Sequence, residues 1–360
     1  MKIGMLTSGG DCQGLNSALR GVAKTLYNEL GSKVTIYGIR DGYRGLIEGD
    51  YHEMNSRDFS DILTLGGTIL GTSRQPFKEM QKATEDSEET KLQKMLKTVN
   101  DEGFDCLVIL GGNGTHKTAN LLSENGVNVV TLPKTIDNDL WGTEMTFGFQ
   151  SAMDIATTVI DSIHSTAFSH SRVFIVEVMG HKAGWLTLYS GIASGADVII
   201  IPEIPYSAKK IAQAIDKRAQ SGKRFSILAV AEGAISKEDA ILSKKELKEK
   251  KKNQVVYPSV AYALGAQITE KTGQEVRVTV PGHTQRGGEP CPYDRVLSTR
   301  LGAAAAKLIQ EKKYGYMVAV KNNEITEVPL EEVAGKLKTV DPNCSMIQEA
   351  KMIGISFGDE

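Results

Sequence analysis

The chain is patterned as short, almost continuously apolar runs separated by longer mixed stretches. The apolar runs cover residues 3–6, 34–39, 106–110, 129–132, 173–178, 198–201, 226–231 and 276–280. A strand with one wet face alternates apolar and polar residues. A run without alternation fits a parallel strand covered on both faces. Residues 15–29, 88–102, 116–123, 152–164 and 208–220 read instead as helices. Because the two kinds alternate, the pattern predicts an α/β protein built on mainly parallel sheets. The run SKKELKEKKKN at 243–253 reads as a solvated surface helix or hairpin.

Composition narrows the class. At 360 residues the chain has room for two domains or one large α/β unit. It is 41% hydrophobic and 24% charged, as expected of a globular enzyme with a sizeable core. The formal net charge of -2 supplies no field that would draw it to nucleic acid or an anionic membrane. Anion affinity must then come from local sites. Cys12, Cys106, Cys291 and Cys344 are scattered without metal-type spacing and read as reduced thiols. The opening MKIGMLTSGG lacks a long apolar signal region, and no apolar run approaches the roughly 20 residues that span a bilayer. A cytoplasmic protein is expected.

Four motifs carry candidate chemistry. Thr7-Ser8-Gly9-Gly10-Asp11 follows the first apolar run and leads to a helix starting near Gly14. Backbone N–H groups at such a turn, with a helix behind them, can hold an anion. The glycines do not fall as G-x-G-x-x-G, so this is no dinucleotide fingerprint. Gly111-Gly112-Asn113-Gly114-Thr115 repeats the arrangement after 106–110. Glycines there let backbone approach phosphate oxygens without a Cβ in the way. Pro133-Lys134-Thr135-Ile136-Asp137-Asn138-Asp139 ends the run 129–132. One of its carboxylates can accept the proton of an attacking alcohol, and the other can help hold a divalent cation. Last, Pro281-Gly282-His283-Thr284-Gln285-Arg286-Gly287-Gly288, with Arg277 upstream, supplies a His and two Arg to a dianionic phosphate. Each alone also reads as an ordinary turn.

Together the segments TSGGD, DGYRGL, GGTILGTSR, GGNGT, PKTIDND, SHSR, VEVMG, AEGA and GHTQRGG stand in the order found in 6-phosphofructokinases, from Met1 to about Arg300. A Gly-Gly-Asp-Gly-Thr turn occurs in NAD and lipid kinases too. TIDND with GHxQRGG is what singles out this family. The chain thus resembles the 6-phosphofructokinases, and the resemblance implies phosphorylation of the 1-hydroxyl of fructose 6-phosphate with Mg²⁺. It implies two similar Rossmann-like domains. The phosphoryl-donor domain would hold 1–148 and 290–338, and the fructose 6-phosphate domain 149–289 and 339–360. Asp137 would be the base, with Thr135 and Asp139 beside it. Arg172 would neutralise the transferring phosphoryl group or hold the sugar phosphate. Met179, Gly180 and Glu232 would line the sugar, while Arg277, His283 and Arg286 would bind its 6-phosphate. Gly10, Tyr43, Arg74, Gly112, Asn113, Gly114 and Thr115 would form the donor side. A homo-oligomer, usually a tetramer, is implied, with Arg172 and Arg277 crossing an interface.

The chain departs from the family pattern at several points. Asn113 stands where most members carry a metal-holding Asp, so a weakly active regulatory paralogue is an alternative reading. Gly114 matches ATP users and Lys134 matches pyrophosphate users, a pairing that resembles the mixed-substrate group; ATP is the expected donor and pyrophosphate the alternative. At the effector positions of bacterial members, Arg20 is kept, but Lys24, His164 and Asp197 stand where Arg, Arg and Glu are usual.

Overall fold

A computed structural model describes residues 1–84, 87–253 and 257–359. The chain divides into two compact units, Met1–Ser151 with Arg286–Lys338, and Ala152–Gln285 with Thr339–Glu360.

The first unit is organised by a seven-stranded sheet. In spatial order its strands are Glu324–Pro329, Tyr316–Lys321, Val129–Pro133, Cys106–Gly111, Lys2–Thr7, Thr35–Ile39 and Tyr51–Met54. The five inner strands pair in parallel, and the two outer ones return antiparallel. Cys106–Gly111 and Val129–Pro133 are buried at every position, as their unbroken apolar runs require. Tyr51–Met54 and Glu324–Pro329 are partly exposed edge strands outside the apolar runs. From Lys2–Thr7 the chain winds toward Thr35–Ile39 on one side, and it later resumes at Cys106–Gly111 on the other. The winding direction therefore reverses between those two strands. In open α/β sheets ligands bind beyond the carboxyl ends of strands at such a point.

The second unit carries four parallel strands in the order Val276–Thr279, Val173–Val178, Ser226–Ala231, Val198–Ile200. Ile211 and Ile215 of Ala208–Gln220 share a core with Leu264 and Ile268 of Val260–Thr272, against Val173, Ile175, Leu228 and Val230. The C-terminal stretch joins this unit by exchanging Ile199 N–H to Ser356 O and Ser356 N–H to Asp197 O.

Several element boundaries differ from the pattern. The helix expected over 88–102 begins at Lys91, because Thr90 and Gln93 form a reciprocal cap and Ser87–Thr90 is extended. The helix expected over 116–123 runs Asn113–Glu124. Asn113, Gly114 and Thr115 are therefore its first turn, with Gly112 as N-cap, and not a loop ahead of it. The charged run forms a helix, Lys244–Asn253.

Candidate active site

In the first unit, three motifs leave adjacent strands at their carboxyl ends. Thr7 lies in register with Leu110, Leu110 with Leu132, and Gly111 with Pro133. The turns are then bonded to one another: Ser8 N–H donates to Leu110 O at 2.9 Å and Lys134 N–H to Gly111 O at 3.0 Å. The first four N–H groups of a helix lack intrahelical partners. In Asn113–Glu124 these N–H groups belong to the glycine-rich motif itself, and together with the helix dipole they favour a phosphate. A Cβ built on Gly114 meets nothing within 4 Å, so the space beside it is open.

Gly9 and Gly10 are held from two sides. Gly9 adopts φ +88° and donates its N–H to Ser73 O, while Thr72 Oγ1 donates to Gly9 O at 2.7 Å. A Cβ on Gly10 would fall 2.2 Å from an Arg286 nitrogen, so only glycine lets that guanidinium lie against the turn. Arg286 belongs to this unit, and its buried Nε has no hydrogen-bond partner among the described residues. Arg74 is exposed one residue beyond the clamp.

Lys134 and Tyr43 have supporting places. The Lys134 ammonium is buried and donates to Gly10 O, tying the first turn to the end of the third strand. Burial lowers its pKa, and the Arg286 charge lowers it further, against the opposing influence of Cys12, Asp137 and Asp11. Tyr43, expected on the donor side, is fully buried; its hydroxyl donates to Thr115 O at 2.8 Å. It holds the glycine-rich turn from behind.

Asp137 is half-buried, and its N–H donates to Thr135 Oγ1 at 3.1 Å. Asn138 takes a left-handed φ of 49°, which Asn tolerates better than most residues. Its amide oxygen accepts from Thr146 N–H at 3.1 Å, and Thr146 Oγ1 donates to Thr135 O at 2.7 Å. Asp139 is buried beside Lys338. Lys338 carries no signal in the sequence: no motif surrounds it, and it lies 200 residues from Asn138, to which it binds.

In the second unit the expected sugar residues fall into two groups. Val178 pairs with Ala231, so Met179, Gly180 and Glu232 emerge together at the carboxyl ends. There the Glu232 carboxylate accepts from His181 N–H at 2.8 Å. Gln285, two residues after the exposed His283, accepts from Met179 N–H at 3.3 Å. Arg172 and Arg277 stand at the amino end of the same strands, where Val173 pairs with Val276. The Glu275 carboxylate bridges both guanidinium groups. Six strand residues at about 3.3 Å each separate the groups by roughly 20 Å. One chain does not bring these arginines to its own Met179, Gly180 and Glu232.

The glycine turns at a reversal of winding, with an acidic loop on the next strand, define a phosphoryl-transfer class of α/β protein. A family model described as phosphofructokinase matches residues 2–309. The chain is 55% identical over 360 residues to an ATP-dependent 6-phosphofructokinase of Spirochaeta thermophila, covering 99% of this chain and 97% of that one. It is 47% identical to ATP-dependent 6-phosphofructokinase 3 of Bacteroides thetaiotaomicron, with 99% and 100% covered. Among solved structures, Pichia pastoris phosphofructokinase in the T-state superposes with a TM-score of 0.79 at 32% identity. That match covers 92% of this chain but 35% of the yeast one, so the chain spans about a third of that protein's length. The chain belongs to the phosphofructokinase family.

Proposed function

We propose that the chain is an ATP-dependent 6-phosphofructokinase, converting fructose 6-phosphate to fructose 1,6-bisphosphate. One observation carries the reading: two glycine-rich turns on adjacent strand ends, bonded to the loop that bears Asp137. The two curated relatives share this activity in name. Asp137 takes the proton of the sugar 1-hydroxyl while its oxygen bonds to the γ-phosphorus. The bond from that phosphorus to the β–γ bridging oxygen breaks, and ADP departs. Thr135 and Asp139 stand beside the base. Gly10, Arg74 and Gly112–Thr115 receive the donor phosphates, with Tyr43 and Lys134 behind them. Arg286, with His283, takes the 6-phosphate.

Mg²⁺ fits the donor side. The Asn113 NH₂ donates to Lys336 O at 2.6 Å, leaving its amide oxygen as the neutral oxygen donor there. Mg²⁺ characteristically takes few protein oxygens and fills its shell with water and phosphate. When bound it neutralises charge on the transferring phosphates. The first unit would then be the donor domain and the second the sugar domain. The distance from Arg172 and Arg277 to Glu232 favours a homo-oligomer, a tetramer in this family, in which a neighbouring copy supplies both arginines. No helix among the described residues is long and apolar enough to cross a membrane; a cytoplasmic location suits a consumer of soluble sugar phosphate.

The donor is tested by assaying fructose 6-phosphate and Mg²⁺ with ATP or pyrophosphate in parallel. ATP supports the faster reaction, because Gly114 leaves room for an α-phosphate and the Lys134 ammonium is already engaged by Gly10. Gly114→Asp suppresses ATP use by placing a carboxylate in that space. Robust turnover with pyrophosphate and none with ATP overturns the donor assignment. No turnover with either overturns the activity.

A further inference from the structure

Residues 336–338 run between the two halves of the phosphoryl-transfer site. Lys336 O accepts from Asn113 of the glycine-rich turn. Leu337 bridges antiparallel to Leu140, and Lys338 N–H donates to Asp139 O at 2.8 Å. From there the Lys338 side chain turns into the acidic loop. Its ammonium donates to Asn138 Oδ1 at 3.0 Å, Thr143 O at 3.0 Å and Glu144 O at 2.8 Å. A lysine ammonium has three donors. All three have an acceptor here, every one on the stretch 138–144.

The placement has an evident cost. Burial pulls the Lys338 pKa down to about 8, against the attraction of Asp139 and Glu144. A lysine made less basic by burial needs a compensating use, and a surface ion pair would not supply one. The loop explains it. Asn138 sits at a left-handed φ between the two aspartates, and its side-chain oxygen is shared by Lys338 and Thr146. The Thr143 hydroxyl receives Val320 N–H at 3.0 Å, and Glu144 N–H donates to Val320 O at 2.9 Å. The sheet thus holds the far side of the loop, and Lys338 holds the near side at Asn138.

We propose that Lys338 is a positioning residue for phosphoryl transfer, fixing the 137–144 loop so that the Asp137 carboxylate keeps its place. The consequence for turnover rests on Asp137 being the base; the consequence for loop order does not. Because its ammonium donates to the loop at Asn138, Thr143 and Glu144, its removal acts on kcat and spares binding. A misplacement of about 1 Å can cost on the order of 100-fold. Lys338→Met lowers kcat by about 10- to 100-fold, with both KM values within about threefold, and Lys338→Arg recovers most of the loss.

Trp141 lies in the same loop and is the sole tryptophan once Trp185 is replaced. In Trp185→Phe, adding Lys338→Met raises acrylamide quenching of Trp141 with the far-ultraviolet circular dichroism unchanged. If Lys338→Met does not fold, Lys338→Arg and Lys338→Gln carry both measurements, with loop order and kcat falling from Lys to Arg to Gln. Unchanged Trp141 quenching with kcat within twofold overturns the proposal. Increased quenching with unaltered kcat overturns the link to catalysis. If Asp137→Ser is also fully active, the error lies in the base assignment.

Discussion

The acidic loop of the first unit and the arginine pair of the second, both proposed to meet phosphate, are built in opposite ways. Around Asp137 the polar groups are buried or half-buried, and bonded before any substrate arrives: Lys134 to Gly10, Tyr43 to Thr115, Lys338 to Asn138. At the amino end of the other sheet, Arg277 is 57% exposed and Arg172 29% exposed, both paired to Glu275. The first arrangement cannot move without breaking bonds in a low-dielectric interior, where an unmet partner is costly. The second holds its charges in water, where a pair contributes about 0–1 kcal/mol and is readily exchanged for a phosphate. The contrast matches the step proposed for each region. A preorganised site stabilises the reacting group, and an exposed basic pair recruits an anion.

The largest expected effect tests the preorganised side. Asp137→Ser lowers kcat by about 10²- to 10⁴-fold, the usual worth of a general base, with fructose 6-phosphate KM within about threefold. Steady-state assays decide it, and full activity sinks the assignment.

Next comes a pH effect on stability from the same region. His116 is fully buried, its Nδ1 lies 2.9 Å from Gly112 O, and its Nε2 has no partner among the described residues. Burial chiefly, with a contribution from Lys134, lowers its pKa from 6.5 to about 4. The folded state then stays neutral where the unfolded state takes a proton, so stability falls as pH drops from 6.5 toward 4. The loss reaches about 3 kcal/mol at the acid end. Denaturant unfolding at several pH values measures it, and His116→Gln should flatten that part of the curve. An identical curve for that variant would remove His116 as the cause.

The smallest effects belong to the exposed arginines. Arg277→Ala raises the fructose 6-phosphate KM by about tenfold or more, since a charge-assisted bond to phosphate contributes about 1.5–3 kcal/mol. Glu275→Gln lowers that KM by at most about fivefold, the ceiling for releasing an exposed pair. Binding assays with fructose 6-phosphate read both. A higher KM in Glu275→Gln would show that Glu275 orients the arginines instead of competing with phosphate.

The strands were legible because burial on both faces leaves a mark at every residue. The runs at 173–178 and 226–231 coincide with the observed strands. The edge strands Tyr51–Met54 and Glu324–Pro329 carry no such mark, since half of each faces water. Motif residues such as Asp137 and Gly112 stood out because their chemistry is local. Their supports did not: nothing in the sequence shows that the Tyr43 hydroxyl is buried and bonded to Thr115 O.

By itself, the sequence determined the α/β class, the inner strands other than Tyr316–Lys321, the glycine turns and the family, each encoded in short contiguous stretches. Only the tertiary structure decided that the first two turns flank the reversal of winding, because strand order is set by packing and not by local pattern. It alone paired the two arginines through Glu275 and fixed which strands stand side by side, since pairing register is a property of two strands. And it alone carried Lys338 to a loop 200 residues away, where burial turned an unremarkable lysine into a three-way anchor.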